Sequence, residues 1–196
     1  MELCLFQGTF NPIHNAHLRV AEYVVDKGYA DAITFIPAFN PPHKDSDDSM
    51  RIHRYNMVQL AIEDNPKFQI SDVEYRLGGK SYTYLTICKL YELFKPSDKI
   101  KFIIGTDAFR KIESWYKTDK LKEKVHFLVF LRDKNFNSEE FQYLKEKGYN
   151  FELMPLEFED ISSTELRIAV KTKQNLSKYV PKKVEEYIKN NELYKN

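Results

Sequence analysis

The stretch Leu3-Cys4-Leu5-Phe6-Gln7-Gly8-Thr9-Phe10-Asn11-Pro12-Ile13-His14-Asn15-Ala16-His17 runs from an apolar segment, through a loop marked by Gly8 and Pro12, into helical periodicity. Leu3–Phe6 reads as a buried strand. Beyond the loop, Leu18, Ala21, Val24 and Val25 recur at helical spacing from about 15 to 27, and Gly28 closes the segment. A buried strand that turns sharply into a helix is the opening unit of a parallel α/β sheet.

The same alternation continues downstream. Strands are predicted over Ala32–Pro37, Phe68–Ile70, Val73–Leu77, Ile100–Ile104, Val125–Leu131 and Phe151–Met154. Helices are predicted over Met50–Glu63, Tyr84–Phe94, Phe136–Lys147, Ser163–Lys173 and Pro181–Asn190. This order predicts an α/β fold with a doubly wound, mainly parallel sheet. Ligands then belong at the carboxyl ends of the strands, in the loops after Phe6, Ile36 and Ile104. No repeat or linker divides the 196 residues, so one domain is expected, with the C-terminal helices of about 162–193 packed on it.

Composition narrows the function. Thirty Lys+Arg against 29 Asp+Glu leave a formal charge of +1, which argues against a nucleic-acid or anionic-membrane partner. Forty-two percent hydrophobic and 14% aromatic residues exclude disorder. No apolar run approaches the roughly 18 residues of a membrane span. The N-terminal residues lack the features of a signal peptide, and Cys4 and Cys88, both set among apolar neighbours, read as buried reduced thiols; a cytoplasmic location is expected. No Cys/His cluster has zinc spacing, so no structural metal is expected. With six glycines there is no G-x-G-x-x-G, and Gly78-Gly79-Lys80-Ser81 fails as a phosphate loop because Glu74 stands where the first glycine is needed. His53 and His126 read as structural, and the charge run Lys117–Lys124 and the Lys/Glu-rich C-terminus read as solvated faces.

Two segments carry chemistry. In the loop Gly8–His17, main-chain amides and a helix start face an incoming anion. His14 and His17, three residues apart, share one side of the first turn, where two imidazoles can donate to phosphate oxygens. They could share a metal instead, although no third ligand is near in sequence. In Ile161-Ser162-Ser163-Thr164-Glu165-Leu166-Arg167, the hydroxyls alone read as a helix N-cap. With Arg167 one turn further on, the same segment can bind phosphate through amides, hydroxyls and a guanidinium fork.

Taken together the two segments resemble the paired signatures G-x-F-x-P-x-H-x-G-H and I-S-S-T-x-x-R of the nucleotidyltransferase superfamily. Within it the chain is most similar to the bacterial nicotinate-nucleotide adenylyltransferase family, with further agreement at Pro41-Pro42-His43-Lys44, Ser81-Tyr82-Thr83, Gly105-Thr106-Asp107 and Trp115-Tyr116. Ala16 stands where the signature has glycine, adding a methyl group where adenine approaches the helix. The resemblance implies a Rossmann-like nucleotidyltransferase fold. It further implies transfer of an adenylyl group from ATP, accompanied by Mg²⁺, to nicotinate mononucleotide.

Under the resemblance, His14, His17 and Arg167 are catalytic. Gly8, Thr9, Phe10, Gly105, Asp107, Ile161, Ser162, Ser163 and Thr164 join them in binding ATP. Lys44 adds positive charge, Trp115 stacks on the pyridine, and Tyr82, Thr83, Tyr84 and Tyr116 offer main-chain amides to its carboxylate. Rival acceptors are nicotinamide mononucleotide and phosphopantetheine, and an idle nucleotide-binding regulator is the non-enzymatic alternative. Self-association is left open.

Overall fold

The computed structural model describes residues 2–42, 48–131, 138–156 and 161–195. Six strands form one sheet: β1 (Cys4–Gly8), β2 (Ile33–Pro37), β3 (Phe68–Ile70), β4 (Ile100–Gly105), β5 (Val125–Phe130) and β6 (Asn150–Met154). All pairings among them are parallel, in the order β3-β2-β1-β4-β5-β6. The helices, in chain order, are α1 (Asn15–Asp26), α2 (Met50–Ile62), α3 (Val73–Leu77), α4 (Thr83–Phe94), α5 (Thr106–Phe109), α6 (Thr118–Leu121), α7 (Gln142–Glu146), α8 (Ser163–Lys171) and α9 (Lys182–Asn190).

Strand side chains alternate between the two faces, and each face has its own core. Cys4, Phe6, Phe35, Ile103, Leu128 and Phe130 pack with α1, α2, α8 and α9. Leu5, Ile36, Phe102, Ile104, Phe127 and Val129 pack with α4 and the short helices after β4. Burial on both faces explains why these strands read as continuous apolar runs rather than alternating ones. The chain reverses its winding direction between β1 and β4, and that reversal opens a crevice at the carboxyl ends of those two strands.

Four expectations change. Val73–Leu77 is a short helix, not a strand. Its Val-Glu-Tyr-Arg-Leu alternation imitates period two, but Gly78 at φ 65° stops a single turn that an Arg76–Asp72 pair (2.9 Å) steadies. The predicted helix Phe136–Lys147 is, from 138 onward, a 3₁₀ turn (Ser138–Phe141) followed by α7; residues 136 and 137 lie outside the described residues. The run 117–124 is not wholly solvated, because α6 turns Leu121 fully into the core, and α9 likewise buries Val184 and Ile188. Cys88 is only half-buried, whereas Cys4 is buried, both as free thiols. Among the described residues no helix is long and apolar enough to cross a membrane.

Candidate active site

The loop after β1 is shaped by close approach. A side chain at Gly8 would meet the Phe10 ring at 2.9 Å. Phe10 itself sits at φ 48°, a left-handed conformation that costs a non-glycine residue about 1–2 kcal/mol. Burial of its ring against Phe6, Phe35 and His17, with centroids 5.6, 5.9 and 5.1 Å away, offsets that cost. His14 is the extended N-cap residue of α1 and is buried, and its N–H donates to His17 Nδ1 at 3.3 Å. The two imidazoles lie side by side at the positive end of α1. Ala16 is buried in the same turn.

The second motif docks directly on the first. Ser162 caps α8, with the Glu165 N–H donating to its Oγ (3.2 Å) and the Ser162 N–H to the Glu165 carboxylate (2.8 Å). The Ser162 hydrogen bonds hold the Glu165 carboxyl below its ordinary range. Ser163 Oγ donates to the Pro12 carbonyl at 2.9 Å, and Arg167 Nη1 donates to the Asn11 carbonyl at 2.9 Å. Arg167 Nη2 also reaches Thr164 Oγ1 at 3.1 Å. Thr164, accepting there, keeps its own hydroxyl proton to donate. Ile161, just ahead of the cap, packs at the edge of the core beneath this junction.

On the other side of the crevice β4 ends at Gly105, where a side chain would meet the Phe130 ring at 3.0 Å. Asp107 lies in the first turn of α5, 3.3 Å from Arg110, which Glu140 also holds. Beyond it a second cluster forms. Trp115 is half-buried and edge-on to Phe102 (centroids 6.3 Å, planes 82° apart). Tyr116 lies over Tyr82 at 4.6 Å and near Tyr84 at 6.3 Å, with Lys117 Nζ 5.1 Å and 5.3 Å from the Tyr116 and Tyr84 rings. Tyr82 is the N-cap residue of α4 and its own N–H donates to Lys80 O at 2.9 Å. Helix geometry gives the Thr83 and Tyr84 amides no intrahelical acceptor. Lys44 lies outside the described residues.

Sequence reasoning missed three residues. Arg54 on α2 is buried, and donates from Nη1 to Thr9 O (2.8 Å) and from Nη2 to Phe39 O (3.3 Å). Burial draws its guanidinium below the ordinary range, against the opposing pull of Tyr75, Tyr194 and Glu74. Glu74 on α3 is also buried and accepts from Gln7 Nε2, from Thr86 Oγ1 (2.7 Å) and from the Phe39 N–H (3.0 Å). Tyr194, near the C-terminal end, donates to Asn11 Oδ1 at 2.6 Å, and burial raises its phenol, with Arg167 and Arg54 opposing. A charged residue on an amphipathic helix gives no sequence signal that its partners will be main-chain carbonyls.

A cytidylyltransferase-like family model matches residues 5–169. A Caldicellulosiruptor bescii protein named "probable nicotinate-nucleotide adenylyltransferase" is 36% identical over 198 residues, covering 100% of both chains. The chain belongs to the nicotinate-nucleotide adenylyltransferase family. A Clostridium tetani member of the same name is 37% identical, covering 97% of this chain and 98% of its own. The family fold is also that of Plasmodium falciparum nicotinic acid mononucleotide adenylyltransferase complexed with NaAD, at a TM-score of 0.82 and 23% identity over 98% of this chain and 97% of that one.

Proposed function

We propose that this chain transfers the adenylyl group of ATP to nicotinate mononucleotide, giving nicotinate adenine dinucleotide and pyrophosphate, a step of NAD biosynthesis. A phosphate oxygen of the mononucleotide bonds to the α-phosphorus of ATP while the bond from that phosphorus to the bridging oxygen breaks. The electron pair leaves with pyrophosphate. No protein nucleophile is required, and the protein's task is to position two anions and to stabilise charge on the leaving group.

The observation that carries this reading is the junction of the two motifs. Ser163 and Arg167 bond to the Pro12 and Asn11 carbonyls, so the starts of α1 and α8 converge beside His14 and His17 at the β1–β4 crevice. Two helix N-termini, two imidazoles and a guanidinium there form a cradle for a polyphosphate. Gly105 and Asp107 flank it as the nucleoside side, with the Asp107 carboxylate a ribose hydroxyl acceptor. The half-buried Trp115 is the ring that stacks on the pyridine in this reading, and the Thr83 and Tyr84 amides at the start of α4 suit a carboxylate. Among the described residues no three His, Cys, Asp or Glu side chains group as a metal site. Mg²⁺ would instead be held by the ATP phosphates and water, where it neutralises phosphate charge.

The deciding assay follows pyrophosphate release from ATP with nicotinate and nicotinamide mononucleotides in parallel. Release with the acid form well above the amide form is expected. Comparable turnover with both would overturn the acceptor assignment, and none with either would leave a nucleotide-binding protein without this activity.

A further inference from the structure

We propose that Arg54 and Glu74 are positioning residues that set both halves of the site from inside the fold, an inference that rests on the adenylyl-transfer reading above. At 1% and 2% exposure these charges lie in the interior, where a charge is tolerated only when well hydrogen-bonded. Their bonds converge on the ligand loops.

Arg54 reaches Thr9 O at 2.8 Å. In a trans peptide the carbonyl and the following N–H point in opposite directions, and the only cis bond recorded among the described residues is Asn11–Pro12. Fixing Thr9 O on the buried guanidinium therefore turns the Phe10 N–H away from Arg54.

The Phe39 residue is held at both ends. Its N–H donates to Glu74 Oε2 (3.0 Å), and its carbonyl accepts from Arg54 Nη2 (3.3 Å) and Arg51 Nε (3.1 Å). The next N–H, that of Asn40, donates to Ser81 Oγ at 2.8 Å, and the Ser81 N–H returns to Asn40 O at 2.9 Å. Ser81 directly precedes Tyr82, so the grip on Phe39 is passed to the start of α4. Glu74 ties in the same helix through Thr86 and the end of β1 through Gln7. One buried pair of charges thus orients the polyphosphate loop and, through Ser81, the acceptor side.

The test uses the full chain carrying Arg54→Lys, Glu74→Gln or Ser81→Ala. Steady-state constants are normalised to folded protein, and affinity for a non-hydrolysable ATP analogue is measured by calorimetry. Lysine keeps the charge but cannot span two carbonyls. Arg54→Lys should raise KM for both substrates at least about fivefold and lower kcat about tenfold; Ser81→Ala should raise only the mononucleotide KM, by about threefold or more. A merely structural role lowers Tm and the folded fraction while leaving constants per folded molecule unchanged. Values within about twofold of wild type in Arg54→Lys and Glu74→Gln would overturn the proposal. Should those two fail to fold, an unchanged mononucleotide KM in Ser81→Ala overturns it. If the wild-type chain makes no dinucleotide, the adenylyl-transfer reading fails by itself. Weakened ATP-analogue affinity in Arg54→Lys then still supports the positioning role, and unchanged affinity still overturns it.

Discussion

The His14 and His17 rings lie 3.7 Å apart, centroid to centroid, with 33° between their planes, and the His14 N–H donates to His17 Nδ1. That acceptor role places the proton of a neutral His17 on Nε2, making Nε2 a donor at the start of α1. Donors aimed at charge that grows during the reaction contribute mainly to kcat. His14→Ala and His17→Ala should each lower kcat by about 10²–10³ with modest change in KM, or roughly 3–4 kcal/mol of lost stabilisation. Near-normal kcat in both variants would remove the pair from the chemistry.

Arg167 bridges Asn11 O and Thr164 Oγ1 with two different nitrogens. A lysine has one point-like donor group and cannot keep that planar fork while also meeting a phosphate. Arg167→Lys should fold and lose at least about tenfold in kcat/KM for ATP, equivalent to ~1.4 kcal/mol. Wild-type kinetics would reduce the segment to a helix cap that docks α8.

How far the sequence could be read follows from what each feature depends on. Apolar runs such as Ile100–Ile104 and Val125–Leu131 stand out because parallel strands are buried on both faces. The two segments that meet at the Pro12 and Asn11 carbonyls stand out because the residues of each are contiguous. Val73–Leu77 misled because five residues of alternating polarity suit either a short strand or one helical turn, and the tertiary burial of Glu74 decided between them. Arg54 and Tyr194 were invisible for a related reason. Their partners, Thr9, Phe39 and Asn11, are distant in sequence and are contacted largely through main-chain atoms that carry no sequence signal.

Gly8 is required by space rather than by backbone angle. A β-carbon there would lie 2.9 Å from Phe10 Cζ, and Phe6, Phe35 and His17 wall in that ring. Gly8→Ala should therefore destabilise the protein by about 1–3 kcal/mol, as overpacking does, and should disturb His17 through the displaced ring. A lowered Tm together with a lowered kcat/KM is expected. Unchanged values of both would mean that the loop relaxes freely.

Cys4 lies on β1, a central strand, with its side chain in the core on one face of the sheet, and burial pushes its thiol up from an ordinary 9.0 to about 12, with Lys101 opposing and Glu2 adding to the rise. Below pH 9 the thiol is protonated in both folded and unfolded chains, and its contribution to stability is fully present. Above that pH unfolding releases a proton, so stability falls by up to about 1.4 kcal/mol per pH unit until the folded thiol itself ionises near 12. Urea unfolding between pH 8 and 10.5 should show a steeper loss in the wild type than in Cys4→Ala. Iodoacetamide at pH 8 should label the half-buried Cys88 first. Equal labelling of both thiols in the native protein would contradict the burial of Cys4.

Trp115 separates the substrate assignment from the fold. Its ring meets Phe102 edge-on at 6.3 Å and is only half-buried, so part of the residue is anchored on the core while part stays exposed. Stacking of a pyridine on the exposed part should contribute roughly 1–3 kcal/mol, by analogy with base–aromatic stacking. Trp115→Ala should then raise KM for nicotinate mononucleotide by about 5–150-fold while KM for ATP moves little. As the sole tryptophan it also reports directly: its fluorescence should change on adding the mononucleotide and much less with ATP alone. If Trp115 serves only to cover Phe102, the variant should melt early and both KM values should rise together. That result would take the pyridine away from Trp115 and pass it to the exposed Tyr116, which packs on Tyr82 at the start of α4.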